Sequence, residues 1–177
     1  MLQATADKAG LNHGAENDIM QSLTDLSVKL PHARIGIVGG RNYGEPLQQL
    51  FEQLASRNRI YTRTASDMTA AALLDMLIND RIELIVEYPN VVQHYSEALN
   101  HAVPLVSVNI REAAEYSAGY IMCSKNEQGK KLAQAYNAAI RLASQDKRYL
   151  QAHLRWFDVS SHAKVIALYN QVYNTTF

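Results

Sequence analysis

Hydrophobic positions along the chain switch between short solid runs and stretches with helical spacing. Residues 1–16 are polar, carry Gly10 and Gly14, and read as a loose arm. In 17–30, Ile19, Leu23, Leu26 and Leu30 fall at helical spacing. That predicts a short amphipathic helix capped by Asn17 or Asp18 and ended by Pro31. Arg34-Ile35-Gly36-Ile37-Val38 is then a compact apolar run that stops at Gly39-Gly40, the pattern of a buried strand and a tight turn. Residues 45–57 return to helical spacing, with Leu47, Leu50, Phe51 and Leu54 on one face. Pro46 fits the first turn, where its missing N–H costs nothing. Residues 59–63 read as a second strand, and Ser66 as the cap of a helix over 67–78. Residues 82–87 form a third apolar run, 90–99 a short helix after Pro89, and 104–108 a fourth strand.

Strands alternating with helices predict a parallel sheet covered on its faces. The last third of the chain is different. Residues 116–123 read as one more strand, whereas 127–143, 148–157 and 159–173 all carry helical periodicity. The expected organisation is an arm and helix over 1–32, an α/β lobe over 33–112, and a return strand with helices over 113–177.

Composition removes several classes of function. The 177 residues include 17 basic and 17 acidic side chains, so the chain has no electrostatic pull on nucleic acid or acidic membranes. The single cysteine, Cys123, cannot form an intramolecular disulfide, and its apolar neighbours predict a buried, inert thiol. No apolar stretch approaches the roughly 18–20 residues that a bilayer needs. The first seven residues lack a basic segment followed by an apolar one, so they do not read as a signal peptide; taken literally, the chain stays in the cytoplasm. The six histidines show no metal-ligand spacing such as HExxH, and the GxSxG and GxxxxGK[ST] patterns are absent. Cys123 has no obvious catalytic partner. No catalytic residue, metal or cofactor is therefore expected. Tyr136, Tyr149, Tyr169 and Tyr173, four of ten tyrosines, fall at packing-compatible helical spacing.

Candidate chemistry collects at strand ends. Gly39-Gly40-Arg41-Asn42-Tyr43-Gly44 joins a strand to a helix, so the backbone can approach a ligand closely and free N–H groups favour an anion. Glu87 ends another strand, and ligands of open α/β sheets collect outside the carboxyl ends of strands. Each of these has an ordinary alternative: a plain turn for the glycines, a solvated charge for Arg41, Arg63 and Glu87, a packed ring for Tyr88, a helix cap for Ser66.

The order strand, Gly-rich turn, helix, strand, Ser-capped helix, followed by Leu73-Leu74-Asp75-Met76-Leu77, Asp80-Arg81-Ile82-Glu83 and Val86-Glu87-Tyr88, resembles the second lobe of family 3 bacterial extracellular solute-binding proteins. Downstream, Ala118-Gly119-Tyr120-Ile121-Met122-Cys123-Ser124-Lys125 looks like the family's return strand. Arg148-Tyr149-Leu150 and Arg155-Trp156-Phe157 are similar to its closing helices. The resemblance covers residues 33–157 and implies a type 2 periplasmic-binding-protein-like α/β fold: one lobe with a mixed, mostly parallel sheet, plus C-terminal helices of an incomplete first lobe. It also implies binding of a small polar solute, such as an amino acid, for ABC transport or sensing in the periplasm, with a membrane permease or sensor as partner. Gly40, Asn42 and Tyr43 become candidate contacts for a ligand anion, with Arg41 and Ser66 in support. Glu87 becomes the partner of a ligand ammonium and Tyr88 a stacking wall.

Two departures stand out. Asp80 occupies a place where the family has glycine. The first strand–helix portion of lobe one has no counterpart, and with it goes the family's carboxylate-clamping arginine, a role no residue here inherits. Residues 158–177 also run past the family's usual end. Alternatives are a ligand-sensing effector domain of the same fold, or a lobe that binds nothing alone and buries its exposed apolar face by homo-oligomerisation.

Overall fold

A computed structural model describes residues 1–11, 20–98, 104–114, 116, 119–157 and 159–177. The chain divides into two compact units, Met1–Glu115 and Tyr116–Phe177. The first is α/β and holds a three-stranded parallel sheet. Its elements are α1 (Gln3–Lys8), β1 (Met20–Gln21), α2 (Leu23–Lys29), β2 (Ile35–Gly39), α3 (Glu45–Ala55), β3 (Ile60–Thr64), α4 (Thr69–Ile78), β4 (Leu84–Ile85), α5 (Pro89–Ala98) and β5 (Asn109–Ile110). In the main sheet β2 lies between β3 and β4, with Ile35 opposite both Ile60 and Leu84.

The solid apolar run of β2 explains its central place, because both of its faces are covered. Ile35 and Ile37 pack in one cluster with Leu26 of α2 and Leu47, Leu50, Phe51 and Leu54 of α3. Val38 packs on the opposite face with Leu73, Leu74 and Leu77 of α4. Gly36 lets α4 sit close: a Cβ there would come 2.6 Å from Ile82 Cδ1 and 3.0 Å from Leu73 Cδ2. Helix ends follow local rules. The helix expected over 45–57 stops at Ala55 because Asn58 turns left-handed, with φ 57°. Asp80 is likewise left-handed at φ 53°, where the Arg81 N–H closes the end of α4 on the Met76 carbonyl. Aspartate tolerates this conformation better than most residues.

Several expectations change. Residues 1–11 are not a loose arm: α1 buries Ala6, and Met1, Ala9 and Leu11 join the same core as β2. The expected caps Asn17 and Asp18 lie outside the described residues; Ser22 caps α2 instead, accepting from the Asp25 N–H. Ser66 does not cap α4 with its side chain. The helix starts later, and the buried Thr69 hydroxyl accepts the Ser66 N–H at 2.6 Å while donating to the Thr64 carbonyl. The expected fourth strand over 104–108 pairs with no strand of the main sheet. Leu105 bridges Leu2 antiparallel, and β5, just beyond, pairs in parallel with β1.

Glu112 ties these distant pieces together. Its carboxylate accepts the Ser22 hydroxyl at 2.6 Å and the Leu23 N–H at 3.0 Å, at the positive end of α2. Burial pushes this carboxyl up, but hydrogen bonds from Ser22, Leu23 and Thr24 outweigh it and hold it below the usual value. A lowered carboxyl stabilises the fold above its ordinary pKa and loses that contribution as pH falls through the lowered value. The melting temperature of the wild type is therefore expected to drop as pH falls below about 4.5, and Glu112→Gln to flatten that part of a melting-temperature profile. Parallel profiles for the two proteins would contradict the assignment.

The second unit is helical: α6 (Glu127–Ala143), α7 (Lys147–Leu154), a 3-10 turn (Val159–Ser161) and α8 (His162–Tyr173). Residues 116–123, expected as a strand, contain no strand among their described members, and Tyr120 and Met122 are 85% and 93% exposed. Cys123 is half-buried rather than buried. Tyr149, Tyr169 and Tyr173 meet in one aromatic cluster with His153, and the Tyr169 hydroxyl donates to the buried Ser144 carbonyl at 2.8 Å. Tyr136, by contrast, is exposed on α6. No helix among the described residues is long and apolar enough to cross a membrane.

Candidate functional site

The sheet directs three loops to one edge: residues after Gly39 of β2, after Thr64 of β3, and after Ile85 of β4. The loop after β2 leads to α3 on one face. The loop after β4 leads to α5, whose Val92 and Tyr95 pack with α4 on the other face. Neighbouring loops that diverge to opposite faces open a crevice between their strands, the usual place for a ligand in an open α/β sheet.

An ion pair spans that crevice. Arg41, after β2, donates through Nη1 to Oε1 of Glu87, after β4. The same oxygen accepts the Tyr88 N–H at 2.9 Å, whereas Oε2 is buried and has no hydrogen-bond partner among the described residues. The Glu87 side chain is 2% exposed and that of Arg41 27%. Two tyrosine rings flank the guanidinium, Tyr43 at 5.8 Å and Tyr88 at 5.6 Å from their centroids, within cation–π range. Burial lowers the Arg41 pKa, and the hydrogen bond and charge of Glu87 more than compensate, leaving it raised.

Four of the seven sequence candidates thus meet: Arg41, Tyr43, Glu87 and Tyr88. Neither Arg41 nor Glu87 is a freely solvated charge, and Glu87 does not wait unpaired for a ligand ammonium. Tyr43 has a structural part as well. Its hydroxyl accepts the Val38 N–H at 2.8 Å and its ring meets Phe51 edge-on. Burial pushes that hydroxyl's pKa up. Gly40 adopts a left-handed φ of 76° and is exposed, so the turn needs glycine for its backbone shape. Asn42 turns back on its own loop, accepting the Gly44 N–H at 2.9 Å. Ser66 belongs to the turn after β3, across β2 from Glu87, and bonds only with Thr69 among the described residues.

Sequence reasoning misses a second gap, on the side of β4 away from β2. Leu105, Val106, Ser107 and Val108 run beside β4, and with Leu23, Leu26, Leu77 and Val92 they line a partly open cavity of about 80 Å³ that Glu87 also lines. The apolar run at 104–108 was visible, but its place beside Glu87 depends on distant contacts with Met1 and Leu2. No protein-family model matches this chain, nor does any curated protein or solved structure.

Proposed function

We propose that the first unit is a ligand-binding lobe of the type 2 periplasmic-binding-protein kind, which takes a small zwitterion such as an amino acid in the crevice between β2 and β4. The observation that carries this reading is the Arg41–Glu87 pair, opposite charges from the two loops that diverge there. A zwitterion matches both partners. Its carboxylate is placed to take free guanidinium N–H groups of Arg41 and backbone N–H groups of the Gly40 turn. Its ammonium is the charge partner of the Glu87 carboxylate, which a ligand reaches by displacing the Arg41 guanidinium. Tyr88, 45% exposed, supplies an aromatic wall. Capture is non-covalent and suits transport or sensing, with a permease or membrane sensor as partner and the periplasm as the compartment.

A panel of amino acids and polyamines tests the reading by thermal shift. A true ligand at a hundred-fold excess over its Kd stabilises by about 2.7 kcal/mol, which raises the melting temperature by several degrees. Arg41→Ala and Glu87→Ala are each expected to weaken that ligand by about tenfold or more, the worth of a charge-assisted hydrogen bond. A panel without shifts, or an affinity unchanged in Glu87→Ala, would reject the proposed roles.

A further inference from the structure

Arg41 and Glu87 meet at one point. Only Nη1 of Arg41 reaches the carboxylate, and it meets only Oε1. Arginine–carboxylate pairs are frequently two-pronged, with parallel N–H bonds to both oxygens. The rest of the Arg41 guanidinium bonds to no described residue, and 27% of the side chain is exposed at the crevice. The Arg41 main chain is held no more firmly. Its N–H reaches the Val38 carbonyl at 3.4 Å, beyond the usual range, and it follows Gly40 at a left-handed φ of 76°.

The seat beneath that guanidinium is built from other groups. The Tyr88 N–H donates to Oε1 at 2.9 Å and orients the carboxylate. The Tyr43 hydroxyl accepts the Val38 N–H at 2.8 Å, and its ring lies edge-on to Phe51, so this wall stays when Arg41 leaves. Tyr88 supplies the other wall, its ring centroid 5.6 Å from the guanidinium carbon against 5.8 Å for Tyr43. Two rings and one carboxylate oxygen fit a flat cation. A guanidinium is planar, delocalised and weakly hydrated, so it enters between rings at small cost in lost water. An ammonium is a compact, strongly hydrated charge and gives up more.

We infer that Arg41 is a tethered stand-in for a ligand guanidinium, and that the site takes a small guanidino acid. The ligand's guanidinium replaces Arg41 on Oε1 of Glu87, between Tyr43 and Tyr88, and its carboxylate pairs with the released Arg41. The exchange trades a one-pronged pair for a two-pronged one, which drives it forward. The inference rests on the reading above for the place of the ligand and for its two opposite charges. It adds that the cation is a guanidinium rather than an ammonium. It also makes Arg41 a built-in competitor of any cation that lacks a carboxylate, since apparent affinity falls with the fraction of molecules whose seat is vacant.

The test titrates the full chain with 3-guanidinopropionate and methylguanidinium chloride, and with their ammonium counterparts, β-alanine and methylammonium chloride. Glycine and alanine form a separate arm. Ionic strength is constant, and NMR of the Tyr43 and Tyr88 ring protons reads binding. In the wild type, 3-guanidinopropionate is expected to bind about a hundredfold more tightly than methylguanidinium, tenfold for the competitor and tenfold for the gained pair. Arg41→Ala is expected to make the two converge: methylguanidinium tightens about tenfold and 3-guanidinopropionate weakens about tenfold. Tyr88→Leu, at a ring 45% exposed, is expected to cut the preference for guanidinium over ammonium about threefold. That variant decides the matter if the NMR spectrum shows Arg41→Ala unfolded. Methylguanidinium that gains nothing in a folded Arg41→Ala would make the ion pair purely structural and overturn the inference. Equal affinities for 3-guanidinopropionate and β-alanine, in the wild type and in Tyr88→Leu alike, would also overturn it. Binding of glycine or alanine without any guanidinium compound would remove the guanidinium seat and leave the zwitterion reading. Methylguanidinium binding with no zwitterion binding would reject the zwitterion reading and the guanidino acid with it.

Discussion

Arg59→Met is expected to destabilise the first unit by on the order of 3 kcal/mol, and Arg59→Lys to recover only part of that loss. Arg59 is 8% exposed and lies just before β3. Its Nε donates to the Ala33 carbonyl at 3.0 Å, Nη1 to Ser27 at 2.9 Å and Nη2 to Leu30 at 2.6 Å. No carboxylate pairs with it among the described residues. Burial first, and the nearby Arg57 second, lower its pKa. The negative end of α2 offsets the cost, because Ser27 and Leu30 carry carbonyls of its last turn. The backbone at this position also matters, with the Ile35 N–H bonded to the Arg59 carbonyl at 2.9 Å. One residue therefore joins α2 to the sheet through both its side chain and its main chain. Lysine keeps the charge but cannot present a planar fork to three carbonyls at once. Urea unfolding followed by circular dichroism measures the loss, and hydrogen exchange at the Ile35 and Ile37 amides locates it. A methionine variant as stable as the wild type would mean that water replaces the guanidinium at no cost.

Gly129→Ala is expected to destabilise the second unit by on the order of 2 kcal/mol, although glycine to alanine inside a helix ordinarily stabilises by about 1 kcal/mol. A Cβ at Gly129 would lie 1.9 Å from the Ser124 carbonyl oxygen, a backbone atom that cannot swing aside as a side chain does. The crowding follows from the cap of α6. Asn126 accepts the Gly129 N–H at 2.8 Å, and the Asn126 N–H in turn donates to the Ser124 carbonyl, folding that oxygen over the first helical turn. Relieving the clash opens this turn and forfeits the Asn126 cap, itself worth about 1 kcal/mol. Thermal unfolding followed by the fluorescence of Trp156, the chain's one tryptophan, measures the effect. Gly119→Ala is the matched control, since a Cβ there meets nothing within 4 Å. Equal stability of the two variants would show that the turn over Gly129 yields without strain.

Both effects show which information was local. Gly129 is unremarkable as text, in a stretch whose helical spacing predicted residues 127–143, the span that α6 occupies. Nothing in the sequence near Gly129 says that a carbonyl will press on it. In the sequence Arg59 likewise marks only the start of a strand, because its three acceptors lie 26 to 32 residues away.

The same division runs through the candidate site. Arg41 and Glu87 are each recognisable from their own surroundings, at the ends of apolar runs, as candidates to face a ligand or solvent. That they face each other is a relation across 46 residues. It arises because the connections place β4 directly beside β2, with β3 on the other side. Residues 116–123 show the opposite failure. Their apolar character suited a strand, but a strand's hydrogen bonds need a neighbour, and intrinsic preference alone does not hold one.

The sequence by itself determined the helices from α2 onward and the three strands of the main sheet, because side-chain periodicity and terminal residues act over a single turn or a single run. It also determined that charged and glycine residues stand at the ends of those strands. Only the tertiary structure decided that residues 1–11 belong to the core, that β1 pairs with β5, that Arg41 closes on Glu87, and that a gap remains beside β4. Those outcomes depend on which distant surfaces bury one another. Burial is a non-directional sum over the whole unit, and no short stretch of chain carries it.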